Sequence, residues 1–395
     1  MLEHWEFFLP TRIRFGWGLA GQLGQSLAQW GRRVFWVGYR NGAGLEGVYE
    51  KLRGRLQEAG LLVEEFFEVS EEPDVGLVNR AAEAARSFGA DLVLGVGGGS
   101  VLDTAKAVAG LARMGGRLEQ YLPGQPAPCR MTDALPIVAV PTTAGTGSEV
   151  TALAVFHWQD PAGGQMPMKL TLAAEALAPK LALVDPELTV SCPPAISARG
   201  AADALGHAIE AALSRRASPM VRFLAEEAMI RIFRYLPAVL ARPEDRQARE
   251  ALALAATLAG IALQQAGATL AHAMAHALGA LAGLPHSEAV AICTPAALRY
   301  NWAEARPVLA RWASRLGLPG QEEQALAEAF LAHLERLFHQ ADLPTRPRLP
   351  TPATEVDWPT RLAQNAFQTT SVAIKLNPRK IDPLTLASLF QQLCR

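Results

Sequence analysis

A chain of 395 residues, half of them hydrophobic and 19% charged, is long enough for two domains with separate cores and reads as globular. Its net charge of −1 gives no footprint for nucleic acid and no patch for an anionic membrane surface. The four cysteines, Cys129, Cys192, Cys293 and Cys394, form no CxxC and no disulfide framework, which points to a reducing, cytoplasmic compartment.

The opening stretch MLEHWEFFLPTRIRFGWG carries Glu3, Glu6 and Pro10 among its apolar residues and lacks the apolar core of a signal peptide. Residues 33–38 predict a strand, 48–59 an amphipathic helix, 61–69 a second strand and 78–87 a helix. Residues 91–96 predict a buried strand that runs into Gly97-Gly98-Gly99-Ser100 and then a helix over 101–111. Further strands fall at 135–141 and 181–185. Strands alternating with helices predict a parallel, Rossmann-like sheet covered on both faces.

From about Pro193 strand signals vanish. Ala- and Leu-rich helical patterns follow at about 194–214, 218–239, 244–266, 268–282 and 288–300, with several more to the end. The boundary is expected within 188–194, giving an α/β domain over 1–190 and an all-α domain over 191–395. Residues 340–359 are Pro-rich and predict a surface loop. Residues 261–284 are apolar enough to suggest a membrane span, but Gln264, Gln265 and three histidines in or beside the run argue for a buried helix.

Two loops carry the signs of a nucleotide site. Gly97-Gly98-Gly99-Ser100-Val-Leu-Asp103 lets backbone N–H groups approach a phosphate at a helix N-terminus, with Ser100 and Asp103 spaced like a capping box. The strand at 135–141 ends in Pro141-Thr142-Thr143-Ala-Gly-Thr146-Gly-Ser-Glu149, a second glycine- and hydroxyl-rich loop. Paired loops at the carboxyl ends of parallel strands suit a nucleotide at a switch point. Neither is a tight-turn GxGxxG fingerprint, so each alone is a weak signal.

The helical half supplies ligand-type side chains. Asp203 and His207 stand at i and i+4, as do His272 and His276, and His286 follows the break Gly283-Leu284-Pro285. Unpaired buried imidazoles and carboxylates are costly, so convergence on one cation explains all five better than packing does. Three nitrogens and one carboxylate suit zinc or ferrous iron, but spacing does not say which four of the five bind.

These motifs, together with Phe8-Leu-Pro-Thr-Arg-Ile-Arg-Phe-Gly16 and Val184-Asp185-Pro186, resemble the iron-dependent (group III) alcohol dehydrogenases along essentially the whole chain. The resemblance implies a dehydroquinate synthase-like architecture with a divalent metal, Fe2+ or Zn2+, in the cleft between the two domains. It assigns the metal to Asp203, His207, His272 and His286, and places His276 beside it, near the nicotinamide. It places pyrophosphate contacts on Gly97, Gly98, Gly99, Ser100 and Asp103, a second nucleotide loop on Thr142, Thr143 and Thr146, and a cofactor-facing lysine on Lys169. It also implies a homodimer.

The chain departs from the family where relatives often have proline after the second histidine and glycine after the Pro-His; here Ala277 and Ser287 stand there. Where NAD-preferring relatives commonly carry an aspartate, the first strand ends Gly38-Tyr39-Arg40. Arginine attracts a 2′-phosphate that an acid would repel, so NADP is expected over NAD. The implied activity is hydride transfer between an alcohol or aldehyde and NAD(P), the metal polarising the substrate oxygen and His276 relaying its proton. Within the same fold a polyol dehydrogenase or a metal-dependent eliminase is the alternative. A metallohydrolase leaves the two nucleotide loops unexplained, and a non-catalytic nucleotide-binding regulator leaves the metal set unexplained.

Overall fold

A computed structural model describes residues 4–124, 128–160, 163–350 and 357–394. Eight strands are described: β1 Arg12–Phe15, β2 Arg33–Tyr39, β3 Leu62–Val69, β4 Leu92–Gly97, β5 Ile137–Pro141, β6 Leu153–Trp158, β7 Met168–Ala173 and β8 Leu181–Val184. Six of them make one parallel sheet in the order β1-β8-β5-β4-β2-β3, while β6 and β7 pair as a separate antiparallel ribbon. The predicted strands are all present. The edge strand β1 and the ribbon were not predicted.

The sheet is buried on both faces because its strands are apolar in both registers. Phe35 and Val37 of β2 and Val93 of β4 pack on one side, Val34 and Trp36 of β2 with Leu92, Leu94 and Val96 of β4 on the other. Four helices lie within this half: α1 Leu23–Leu27, α2 Glu46–Glu58, α3 Val75–Phe88 and α4 Gly99–Met114. The chain leaves β2 outward to β3 and returns to the far side of β2 as β4, so the switch point lies between the carboxyl ends of β2 and β4.

The helical half opens with α5 Pro194–Leu213, α6 Pro219–Ala241, α7 Arg246–Ala266, α8 Leu270–Ala282 and α9 His286–Tyr300. It continues with α10 Trp302–Leu316, α11 Glu323–Gln340, α12 Trp358–Thr369, α13 Ser371–Leu376 and α14 Pro383–Leu393. Of the Pro-rich loop expected over 340–359, residues 351–356 lie outside the described residues. Among the described residues no single helix is long and apolar enough to cross a membrane. The apolar run that raised that question bends by 101° between α7 and α8. Gly267 makes the corner at φ +75°, a conformation other residues rarely adopt.

The two halves meet backbone to backbone. A Cβ on Gly145 of the second glycine loop would lie 2.8 Å from Cα of Gly200 in α5, and one on Gly147 would lie 2.4 Å from Cα of Gly260 in α7. Those glycines seat the helical half directly on the carboxyl edge of the sheet.

Candidate metal centre and nucleotide cleft

α5 presents Asp203, His207 and Glu210 from one face, at i, i+4 and i+7. α8 presents His272 and His276. Gly283, at φ +66°, ends α8, and Pro285 starts α9 at once, so His286 becomes the first residue of the next helix. Asp203 Oδ1 then stands 3.8 Å from His207 Nε2, 3.5 Å from His272 Nε2 and 3.5 Å from His286 Nε2. Gly206 lets α5 approach this closely, since a Cβ there would meet Val290 Cγ1 at 2.6 Å and His272 Cε1 at 3.4 Å. The rings of His207 and His272 stack at 4.5 Å, and the ring of His276 lies edge-on to that of His286 at 5.4 Å.

These side chains fit a cation better than they fit one another. Both oxygens of Asp203, Nε2 of His272 and Nδ1 of His207, His276 and His286 are buried without a hydrogen-bond partner. A buried carboxylate without a partner costs several kcal/mol, and 3.5–3.8 Å is too long for its imidazole neighbours to bond it well. Ligand atoms of Asp203, His207 and His272 all lie within 4.8 Å of one another, and His286 reaches the same carboxylate. This donor set suits a four-coordinate divalent ion.

Burial pushes His207 down to about 4, Asp203's charge only partly offsetting it. Burial also holds His286 well below the usual imidazole value, so both rings are neutral and offer lone pairs. For Asp203, burial raises the pKa, but the His207 charge and the approach of His272 outweigh it and hold the carboxyl well below its usual range. His272 differs. Burial would lower it, yet the charge of Glu210 and the contact with Asp203 raise it to about 10. Two carboxylates flanking one ring demand positive charge, and a divalent ion supplies it without the proton on Nε2.

Glu210 was not recognised from the sequence. Its Oε2 faces His272 Nδ1, and its Oε1 accepts hydrogen bonds from the backbone N–H and the hydroxyl of Thr269 and from the His272 N–H. A carboxylate on Nδ1 fixes the tautomer that leaves Nε2 as a ligand.

The two glycine loops, which follow the neighbouring strands β4 and β5, face each other beside the switch point. Thr142 N–H donates to Gly97 O at 3.0 Å. A Cβ on Gly98 would lie 3.1 Å from Thr143 Oγ1, and one on Gly99 would lie 2.6 Å from Thr146 Cγ2, so the two loops approach so closely that glycine is needed at their contact. Ser100 does not cap α4 as expected. The glycines let the helix begin at Gly99 with Gly98 as its cap, and Ser100 Oγ instead accepts the Glu72 N–H at 3.2 Å. Asp103, expected at the pyrophosphate, is engaged by protein donors. Its oxygens accept from Ser148 Oγ at 2.5 Å and Val155 N–H at 2.9 Å, which ties α4 to the second loop and to β6.

At the end of β2, Gly38 is explained by packing: a Cβ would meet Phe67 at 2.8 Å and the Tyr49 hydroxyl at 2.9 Å. The Tyr39 hydroxyl accepts the Gly98 N–H at 3.2 Å, and burial raises that phenol to about 12. Arg40 is exposed at the strand's end. Lys169, on β7, is 4% exposed and donates to Glu72 Oε1 at 2.5 Å. His157 Nε2 lies 2.5 Å from the other oxygen of Glu72. Neither Glu72 nor His157 was singled out from the sequence.

A parallel sheet whose glycine loops overhang a buried acid–imidazole cluster has the layout of a metal-dependent, nucleotide-linked dehydrogenase. The family model for iron-containing alcohol dehydrogenases matches residues 10–186, and that for the family's C-terminal region matches residues 197–394. The chain belongs to the iron-containing alcohol dehydrogenase family. It is 32% identical to an NAD-dependent methanol dehydrogenase of Bacillus methanolicus, over 98% of this chain and 99% of that one. The structure of a 1,3-propanediol oxidoreductase superposes with a TM-score of 0.89 at 30% identity, covering 99% of this chain and 100% of the other. A sulfoacetaldehyde reductase from Bifidobacterium kashiwanohense, solved with NAD+, superposes with a TM-score of 0.83 at 27% identity, covering 99% of both chains.

Proposed function

We propose that the protein interconverts an alcohol and its aldehyde by hydride transfer to and from a nicotinamide cofactor bound between the two glycine loops. The observation that carries this is the buried Asp203–His207–His272–His286 cluster with its unpartnered polar atoms, in a chain whose two glycine loops meet at the carboxyl edge of a parallel sheet. Asp203, His207, His272 and His286 would hold ferrous iron, or zinc, and that ion when bound supplies a Lewis acid that favours loss of the alcohol proton and polarises a carbonyl.

The chain's own residues do the rest. Glu210 holds His272 in one tautomer. Gly97, Gly98 and Gly99 bare the backbone N–H groups at the N-terminus of α4, where a pyrophosphate would bind, with the threonines of the second loop beside them. The close seating of the sheet edge on α5 and α7 would hold cofactor and substrate in one fixed orientation, which makes the transfer effectively unimolecular. His276 is buried, and burial with the nearby charges of Lys169 and His272 keeps it neutral, at about 3. Its Nδ1 has no partner, which makes it the candidate to relay the hydroxyl proton onward to solvent rather than to keep it.

The same reading prefers NADP. Tyr39 replaces an acid at the end of β2, and no hydrogen bond engages the exposed Arg40 guanidinium among the described residues, which leaves it available to a 2′-phosphate. The methanol dehydrogenase named above is NAD-dependent and the sulfoacetaldehyde reductase was solved with NAD+, so this reading rests on this chain's own residues alone. The test is a panel of alcohols and aldehydes with each cofactor, after loading with iron or zinc. Near-normal turnover by metal-stripped protein would refute the metal role, and a clear NADH preference would refute the role given to Arg40.

A further inference from the structure

Glu72 lies on the loop between β3 and α3 with φ at +58°, in the left-handed region that a glutamate rarely enters. Backbone strain of this kind persists where surrounding contacts over-determine it. Four elements meet at this residue. Its N–H donates to Ser100 Oγ at the mouth of the cradle, at 3.2 Å. Its Oε2 pairs with His157 of β6, and its Oε1 accepts from Lys169 of β7. The same Oε1 accepts the backbone N–H of His286 at 3.2 Å. Pro285 gives α9 no side-chain cap, so Glu72, 214 residues away in sequence, serves as that helix's cap. A carboxylate there also meets the positive end of the helix dipole. Burial raises the Glu72 pKa, but the His157 hydrogen bond and the Lys169 charge outweigh it and bring it to about 2, so the cap is ionised.

One residue therefore touches the cradle loop through its backbone N–H, and the ribbon lysine and the first residue of α9, which is also a proposed ligand, through its carboxylate. We propose that Glu72 is a positioning residue that couples occupancy of the nucleotide cradle to the grip on the metal, by fixing His286 and Lys169 relative to Ser100. This rests on the metal and cofactor sites proposed above. Coupling of this kind is reciprocal: whatever factor the cofactor adds to metal affinity, the metal adds to cofactor affinity.

Zinc affinity, followed by competition with a chromophoric chelator with and without NADPH or NADH, reads the coupling directly and needs no turnover. The native protein is expected to hold zinc about 5–150-fold more tightly when cofactor is present. Glu72→Gly removes the carboxylate while suiting φ +58°, and its ratio should fall to about one. Glu72→Gln keeps an acceptor for the His286 N–H and should restore part of the ratio. A ratio of one in the native protein, or a native ratio in E72G, overturns the proposal. Asp203→Ala separates the two ideas. If D203A binds zinc as tightly as the native chain, the metal site itself is wrong and the coupling falls with it. If D203A loses zinc while E72G keeps the native ratio, only the coupling is wrong.

Discussion

Replacing Glu210 by glutamine should strip the metal site while leaving the fold intact. The three donors on Oε1 are the Thr269 N–H at 3.0 Å, the Thr269 hydroxyl at 2.9 Å and the His272 N–H at 3.2 Å. They fix the new amide with its carbonyl oxygen in that place, because the flipped amide would set its NH2 against all three. The NH2 then occupies the position of Oε2 and donates towards His272 Nδ1. The ring must accept there, so its proton moves to Nε2, the atom 3.5 Å from Asp203 Oδ1. A protonated Nε2 is no ligand. Loss of the partner behind a ligating histidine lowers metal affinity by about 10–100-fold, or about 1.4–2.8 kcal/mol. Chelator competition with zinc measures the affinity, and 15N chemical shifts of the ring report the tautomer. Native affinity in E210Q, or an Nδ1–H tautomer at His272, would refute the reasoning.

Asp203→Ala removes the charged ligand and should abolish metal content by elemental analysis, with turnover down about 10³-fold, as several kcal/mol of Lewis-acid stabilisation requires. Gly99→Ala places a Cβ 2.6 Å from Thr146 Cγ2. That overpacking, about 1–3 kcal/mol, should raise the cofactor KM about 5–150-fold and leave zinc content unchanged. Arg40→Ala should cut kcat/KM with NADPH about 10–100-fold, the worth of a charge-assisted hydrogen bond to phosphate, while kcat/KM with NADH stays within about twofold.

Much of this was legible because local chemistry and final geometry agree. The central strands are apolar runs followed by glycine, and such runs have one fate in an alternating α/β chain. The edge strand β1 was missed because Arg12-Ile-Arg-Phe15 is short and alternates arginine with apolar residues, which suits an edge and does not announce burial. The ribbon β6–β7 was missed because the stretch joining its strands carries no short hairpin turn. The acid–imidazole cluster was legible in part from i, i+4 spacing on two helices, while the choice of four ligands among five candidates came from the family resemblance. Glu210 continued the same face at i+7 and could have been read the same way. Glu72 could not. Its partners lie 85, 97 and 214 residues away, and nothing local marks a glutamate whose work is done across the cleft. Asp103 has a role that its place in the glycine motif does not announce: it accepts from neutral and cationic donors that tie α4 to the second loop and to β6.

The glycine pairs that seat the helical half on the sheet bear on how this sequence can drift. An overpacked side chain in a core is commonly relieved by trimming its neighbour. Here the neighbour of Gly147 is Gly260 and that of Gly145 is Gly200, so nothing remains to trim. Gly147 adds a φ of +64°, which a second substitution elsewhere does not cure. These four positions can change only together with the backbones that carry them. A mutational library built on this scaffold will find compensated routes through the pocket walls and none through this seam.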